Sequence, residues 1–244
     1  MKIRIECNKC QLGGTRHPGT YNYRKLSDKN LYKITCDAGH ESIVFIENHK
    51  FDILFESGIL ALLDGYSREA VSSISSSLER FYEFYLKVIC LKHGVYYDKI
   101  IENWKKIASQ SERQFGAYIF VYLLENKNTP KTLSNKFVEF RNKVIHKGYI
   151  PSDEEVVKYA KNVGEIISFE YLKLKNNTQD LYQYTIGIDG IESGVFEEEN
   201  DEITSQNAST VLVRMINRNQ SKEYNFESDI NPLKMERKSI LSNK

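Results

Sequence analysis

The chain has 244 residues, which suits one substantial core with attached segments rather than a single minimal domain. Its 34 Lys and Arg nearly balance its 33 Asp and Glu, and a net charge of +1 argues against a protein that is strongly basic over its whole surface. No signal-peptide pattern and no apolar run of membrane-spanning length is present, so we expect a cytoplasmic protein with no membrane contact.

Charge is distributed unevenly along the chain. Residues 1–50 contain nine Lys and Arg against five Asp and Glu, whereas residues 176–244 contain seven against twelve. We therefore expect the basic first segment and the acidic last segment to make different contacts.

Residues 1–50 are predicted to form a small β-rich domain. Ile3 and Ile5 alternate with charged residues, which is typical of a strand with one buried face. Gly and Pro then mark turns between further short strands, predicted at residues 21–23, 31–34 and 42–46.

Two clusters of potential metal ligands lie between these strands, in the turns Cys7-Asn-Lys-Cys10 and Cys36-Asp-Ala-Gly-His40. Small sheets hold tetrahedral zinc with such a pair of turns, since thiolate and imidazole are ligands that zinc prefers. The predicted ligands of one structural zinc ion are Cys7, Cys10, Cys36 and His40, with His17 as the rival for the fourth position. The alternative is a β-rich segment with ordinary reduced cysteines.

Residues 51–175 are predicted to form an all-helical bundle. Residues 51–65 are interpreted as a linker or short helix, and apolar residues recur at helical spacing from Arg68 to His93. Two of the aromatic residues there, Tyr82 and Phe84, fall off the main apolar stripe, which favours a dimer interface.

Further helices of the bundle are predicted at residues 98–108, 113–125 and 131–146, and after a capping box at residues 152–155. The second of these is so rich in apolar side chains that we expect it to be central. The third follows Asn-Thr-Pro130, a typical helix start.

The helix predicted from Lys131 to His146 carries the most chemically distinctive stretch of the chain. Arg141 is a permanent cation whose guanidinium can donate two hydrogen bonds to phosphate oxygens, and His146 can exchange a proton near neutral pH. Asn142 lies on the same face as His146, where its amide could hold the imidazole in one tautomer. Arg141 and His146 are about 140° apart around an ideal helix, which suits a cleft completed by a second helix or a second copy of the chain.

The pattern Arg141-Asn142-x-x-x-His146, at a helix C-terminus and after a long amphipathic helix, resembles the R-x4-6-H motif of the HEPN superfamily. The motif marks metal-independent endoribonucleases, many of them toxins or phage-defence effectors. The resemblance covers roughly the middle half of the chain and implies a homodimer that cleaves RNA without a catalytic metal. It implies that His146 moves protons, Arg141 stabilises phosphoryl charge and Asn142 orients either group. Glu79, on the long helix, is then a candidate contact of Arg141 or His146.

Three other interpretations stay open at this point. The motif helix could be an ordinary surface helix whose histidine favours the negative end of the helix dipole. A HEPN-like bundle could bind nucleic acid, nucleotide or a partner protein without catalysis. The nuclease could also be one half of a toxin–antitoxin or abortive-infection pair, with an antitoxin or regulatory protein as its partner.

Residues 176–244 are predicted to form a β-rich or partly disordered C-terminal extension. Alternation at residues 182–188 and a turn at Asp189-Gly190 favour a hairpin returning at residues 194–196, followed by an acidic loop at 197–202. One more strand is predicted at residues 210–216. The expected fold class is therefore α+β: a zinc-ribbon-like domain at 1–50, a HEPN-like helical domain at 51–175 and this extension.

Overall fold

The computed structural model of the protein describes residues 2–13, 21–194, 203–218 and 226–242. Its strands are β1 (Lys2–Glu6), β2 (Tyr21–Lys25), β3 (Leu31–Thr35), β4 (Glu41–Ile46) and β5 (Ile203–Gln206). Its helices are α1 (Asn8–Leu12), α2 (Lys50–Leu63), α3 (Ser67–Lys92), α4 (Tyr97–Trp104), α5 (Ser111–Asn126), α6 (Asn135–Lys147), α7 (Asp153–Asn177), α8 (Leu181–Ser193), α9 (Val211–Arg218) and α10 (Phe226–Ser242). The chain is thus mostly helical with small sheets, which confirms the α+β layout.

The chain divides into two compact units. The sheet unit comprises Met1–His49 and Tyr182–Ser209, and the helical unit comprises Lys50–Leu181 and Thr210–Lys244. The C-terminal segment therefore contributes to both units instead of forming an extension of its own.

The sheet unit contains two small sheets. In the first, β1 and β2 pair antiparallel, and in the second β4 lies between antiparallel β3 and parallel β5. The predicted strands at residues 21–23, 31–34 and 42–46 are confirmed. Alternating residues of β1, β3 and β4 form one buried cluster, made of Ile3, Ile5, Tyr32, Ile34, Val44 and Ile46.

The helical unit is organised around α3, which packs against α2, α5, α6 and α7. Its apolar stripe is buried as predicted, including Val71, Ile74 and Phe81. A Cβ added at Gly58 of α2 would lie 2.6 Å from Ile74 Cγ1, so the glycine permits the close approach of the two helices. The predicted capping box at Ser152 and Glu155 is confirmed, with both of its hydrogen bonds present at the start of α7.

The motif helix α6 begins four residues later than predicted, at Asn135. Residues 131–134 are not helical, and the Lys131 N–H donates to Glu170 Oε1 at 2.7 Å instead of taking part in a helix. The helix ends at Lys147, one residue beyond the predicted His146. Its C-cap residue Gly148 has a φ of 69° and lets the Tyr149 N–H donate to the Lys143 carbonyl.

Two expectations about apolar faces are wrong. Tyr82 and Phe84 are buried within the unit, and Tyr82 stacks on Tyr118 with ring centroids 4.4 Å apart, so neither supports a dimer interface. Helix α5 is not central, because its apolar residues surround the whole helix and only one side meets α3. Phe120 and Leu124 of α5 are about two-thirds exposed, at 68% and 70%.

The predicted C-terminal strands are also wrong. Residues 182–188 and the supposed turn at residues 189–190 belong to α8, and residues 210–216 largely to α9. Leu181, Thr185 and Ile188 are buried at helical spacing, a period that coexists in this sequence with the alternation that favoured a strand. Thr210 begins α9 by accepting the Val213 N–H at its hydroxyl.

The strand β5 was not predicted. The expected hairpin return beyond Gly194 and the acidic loop at residues 197–202 lie outside the described residues.

Candidate metal centre and Arg–His site

The structure brings the four predicted metal ligands together in the sheet unit. The ligand atoms of Cys7, Cys10, Cys36 and His40 all lie within 4.8 Å of one another, and the three thiols are buried. Ligands about 2.1–2.3 Å from one zinc ion stand about 3.5–3.8 Å apart at the corners of a tetrahedron. The distances from Cys10 Sγ to Cys36 Sγ, 3.7 Å, and from Cys7 Sγ to His40 Nδ1, 3.8 Å, fit such an arrangement. His17, the rival ligand, lies outside the described residues.

Local backbone structure presents each ligand. Cys7 follows β1 and is the N-cap residue of the short helix α1. The first turn of α1 carries Cys10 to the same side, and the Gln11 N–H donates to the Cys7 carbonyl. On the opposite turn, the Gly39 N–H donates to the Cys36 carbonyl at 2.8 Å, and Gly39 has a φ of 77°. That conformation favours glycine and turns the chain so that His40 faces the cysteines.

The protein groups around the two neighbouring thiols move their pKa values in opposite directions. Desolvation raises the pKa of Cys10 to about 12, and the sulfur atoms of Cys36 and Cys7 add to the effect. Desolvation would raise the pKa of Cys36, but hydrogen bonds from the backbone at His40 and Ala38 and from the Cys10 and Cys7 side chains together lower it. A bound cation supplies the charge that lets such thiols ionise together. The residues present therefore fit a metal ion such as zinc.

Sequence reasoning missed one residue that supports this centre, Gln206. Its side-chain amide accepts the Glu6 N–H at 3.0 Å, donates to the Glu6 carbonyl at 2.6 Å and donates to Asn8 Oδ1 at 2.9 Å. These bonds hold the chain on both sides of Cys7. No sequence signal links Gln206 to a turn 200 residues away, since the contact depends on the parallel pairing of β4 with β5.

The second candidate site lies in the helical unit, on α6. Arg141 Nη2 donates to Glu79 Oε1 of α3 at 2.6 Å, and Arg141 Nη1 donates to Asn142 Oδ1 at 3.1 Å. Both partners of the ion pair are partly shielded from solvent. The expected contact between Glu79 and the motif is thus present, and it falls on Arg141.

His146 lies one turn beyond Asn142 and is exposed in the last turn of α6. Among the described residues, no hydrogen bond or ion pair joins its imidazole to another side chain. The Asn142 amide therefore serves Arg141 rather than the imidazole. Arg141 is held in place by its neighbours, whereas His146 is open to a ligand.

A buried tyrosine underlies the Arg141–Glu79 pair. The Tyr159 hydroxyl lies 2.9 Å from Ser75 Oγ, and its ring packs against Phe140 of the motif helix at 5.5 Å between centroids. Burial raises the pKa of Tyr159 to about 12, with the Arg141 charge opposing and the Glu79 charge adding to that rise. No pattern in the sequence singles out the hydroxyl of Tyr159 as a neighbour of this pair.

Comparison of the chain with known protein families, curated proteins and solved structures gives no match. Within the part of the chain that the structure describes, no helix is both long enough and apolar enough to cross a membrane.

Proposed function

We propose that the protein is a metal-independent endoribonuclease of the HEPN type, acting in the cytoplasm as a toxin or phage-defence effector. The observation that carries the proposal is the fixed Arg141 beside Asn142 on the same helix as an open His146. Phosphodiester cleavage by general acid/base chemistry requires a preorganised cation and a free imidazole, and a second copy of the chain would bring the two groups to one phosphate.

In the proposed reaction, the imidazole of His146 takes the proton of a ribose 2′-hydroxyl as that oxygen attacks the adjacent phosphorus. The guanidinium of Arg141 stabilises the negative charge that grows on the non-bridging oxygens. The bond to the 5′-oxygen breaks, and this leaving oxygen takes a proton from a second acid. The products are a 2′,3′-cyclic phosphate and a 5′-hydroxyl end.

A homodimer would supply that second acid as the partner copy's imidazole. Two features support self-association. Arg141 and His146 point to different sides of α6, about 140° apart, so a second copy would bring complementary groups to one phosphate. Exposed Phe120 and Leu124 also give α5 an apolar face, which replaces the buried Tyr82 and Phe84 as a candidate interface.

We propose zinc as the metal of the cysteine–histidine centre, with a structural role. Three sulfurs and one nitrogen at tetrahedral spacing favour zinc over harder cations. Four protein ligands leave no open position for substrate, so the centre would stabilise the sheet unit and take no part in cleavage.

The test is incubation of purified protein with a single-stranded RNA, with EDTA present, comparing wild type with His146→Ala. We expect cleavage in EDTA that leaves 2′,3′-cyclic phosphate ends and falls by at least about 100-fold in the variant, the scale of a general acid/base contribution. His93→Ala is the matched control, since His93 is another exposed histidine at a helix end. Cleavage unaffected by His146→Ala would refute the proposal.

A second candidate is a non-catalytic module that binds nucleic acid or a partner protein, such as an antitoxin or regulatory protein. The ion pair with Glu79 favours a non-catalytic role, because a guanidinium already paired with a carboxylate stabilises less of the negative charge that builds up on a phosphate in the transition state. In that case wild type and His146→Ala would both leave the RNA intact in the same assay.

A further inference from the structure

The charged side chains of α6 are mostly positive. Besides Arg141 the helix carries Lys136, Lys143 and Lys147, and Glu139 is its one acidic residue. All three lysines are exposed, and no ion pair joins any of them to an acidic group among the described residues. Lysines on other helices differ: Lys87 pairs with Glu83 at 2.6 Å and Lys99 with Glu102 at 2.8 Å.

These lysines also lie on one side of the helix. At about 100° per residue, Lys136, Lys143 and Lys147 fall within about 40° of one another. They extend over about 16 Å along the axis, at about 1.5 Å per residue. His146 is about 60–100° from these lysines on one flank, whereas Arg141 is roughly 120–160° away on the other flank and turns toward Glu79. The row, which we call the lysine track, thus leads along the helix to the free imidazole.

We propose that the lysine track binds the phosphate backbone of a single-stranded RNA and guides it to His146. This inference rests on the proposed function and deepens it by naming how the substrate is held. Unpaired lysines along one helix face neutralise successive phosphates without reading bases. A single strand fits better than a duplex, since in-line attack by the 2′-oxygen requires a backbone that is free to rotate.

The test measures binding separately from cleavage, with a fully 2′-O-methylated single-stranded RNA of 20 nucleotides that has no 2′-hydroxyl to react. The Lys136→Gln, Lys143→Gln, Lys147→Gln triple variant is compared with wild type over a range of salt concentrations. Each lost phosphate contact lowers the slope of log affinity against log salt by about 0.7 for a single strand. We expect a slope about 2 lower and affinity about 100-fold weaker at about 0.1 M salt.

The matched control is the triple variant Lys99→Gln, Lys105→Gln, Lys106→Gln, which removes the same charge from exposed positions in and after α4. We expect it to bind the RNA within about twofold of wild type. Equal losses in the two triple variants, or no RNA binding by wild type, would overturn the inference. A third outcome would also overturn the inference: the lysine triple variant loses binding to phosphatidylserine vesicles but binds RNA as tightly as wild type. That outcome would assign the surface to a membrane.

The two proposals fail in different ways. If RNA is cleaved in a manner that depends on His146 while the lysine variant binds normally, the track is wrong and the nuclease stands. If the track binds RNA but no cleavage occurs, the nuclease is wrong and the binding surface stands.

Discussion

The two compact units of the protein derive their stability from different sources. The sheet unit has a small apolar cluster of strand residues beside a separate cluster of Cys7, Cys10 and Cys36. The helical unit buries long apolar faces of α3 and α7, including Val71, Phe81, Val163 and Ile166. Small sheets bury too little apolar surface to be stable alone, whereas a large helical core does not need a metal. Metal removal and core truncation should therefore affect different units.

The largest effect is expected from loss of the metal. Cys36→Ser, or treatment of wild type with a strong chelator, should unfold the sheet unit and leave the helical unit folded. Structural zinc contributes about 10–16 kcal/mol of binding energy in small zinc domains, far more than the six-residue apolar cluster can replace. Hydrogen exchange should show lost protection in β1, β3 and β4 and retained protection in α3 and α7.

Cys90→Ser is the control for that experiment, because Cys90 is a half-buried thiol on α3 and is not one of the four clustered ligands. It should keep the metal content and the protection of the strands. Protein purified without chelator that contains no metal, yet has fully protected strands, would contradict the prediction.

A smaller effect, confined to the helical unit, is expected from Ile74→Ala in α3. Ile74 is fully buried against the backbone of α2 at Gly58, which has no side chain to fill the space that the truncation leaves. The cost should be about 2–5 kcal/mol of the free energy of unfolding of the helical unit. Urea unfolding followed by far-ultraviolet circular dichroism measures this loss, and the metal content should stay unchanged.

Ile150→Ala is the matched control, since that isoleucine is 76% exposed and should cost less than about 0.5 kcal/mol. An equal loss of unfolding free energy in the two variants would contradict the prediction that the α2–α3 contact at Ile74 stabilises the helical unit.

The sequence predicted those features that depend on neighbouring residues. The strands of residues 1–50, the capping box at Ser152 and the clustered ligands all follow from local spacing, and the structure confirms them. The C-terminal segment was mispredicted because Leu181–Ser193 carries both a helical and an alternating period, and only packing selects between them. The burial of Tyr82 was missed because it depends on Tyr118, a residue from another helix.

In the candidate sites, too, features set by neighbouring residues were predicted and features set by long-range contacts were not predicted from spacing. Spacing predicted the four clustered residues as candidate metal ligands, with His17 as the rival for His40, since they come as two local turns. The ion pair of Arg141 with Glu79 spans 62 residues and was expected only through the HEPN resemblance. Gln206 was not predicted at all, because a glutamine at the end of an unpredicted strand has no distinguishing pattern.

The smallest effect is therefore expected from Gln206→Ala, which tests whether the C-terminal strand supports the metal centre. The substitution removes three hydrogen bonds to Glu6 and Asn8 on either side of Cys7 and leaves all four ligands in place. Residues that orient metal ligands typically change affinity by about 10–100-fold, and we expect the lower end because Gln206 acts on the backbone rather than on a ligand. Competition with a chromogenic chelator should show metal binding about tenfold weaker, or about 1.4 kcal/mol. Asn207→Ala is the control, since among the described residues the Asn207 side-chain amide donates only to the partly exposed Glu47 carboxylate. If both variants hold the metal as wild type does, the turn at Cys7 is rigid without the C-terminal strand, and the metal centre depends on residues 2–49 alone.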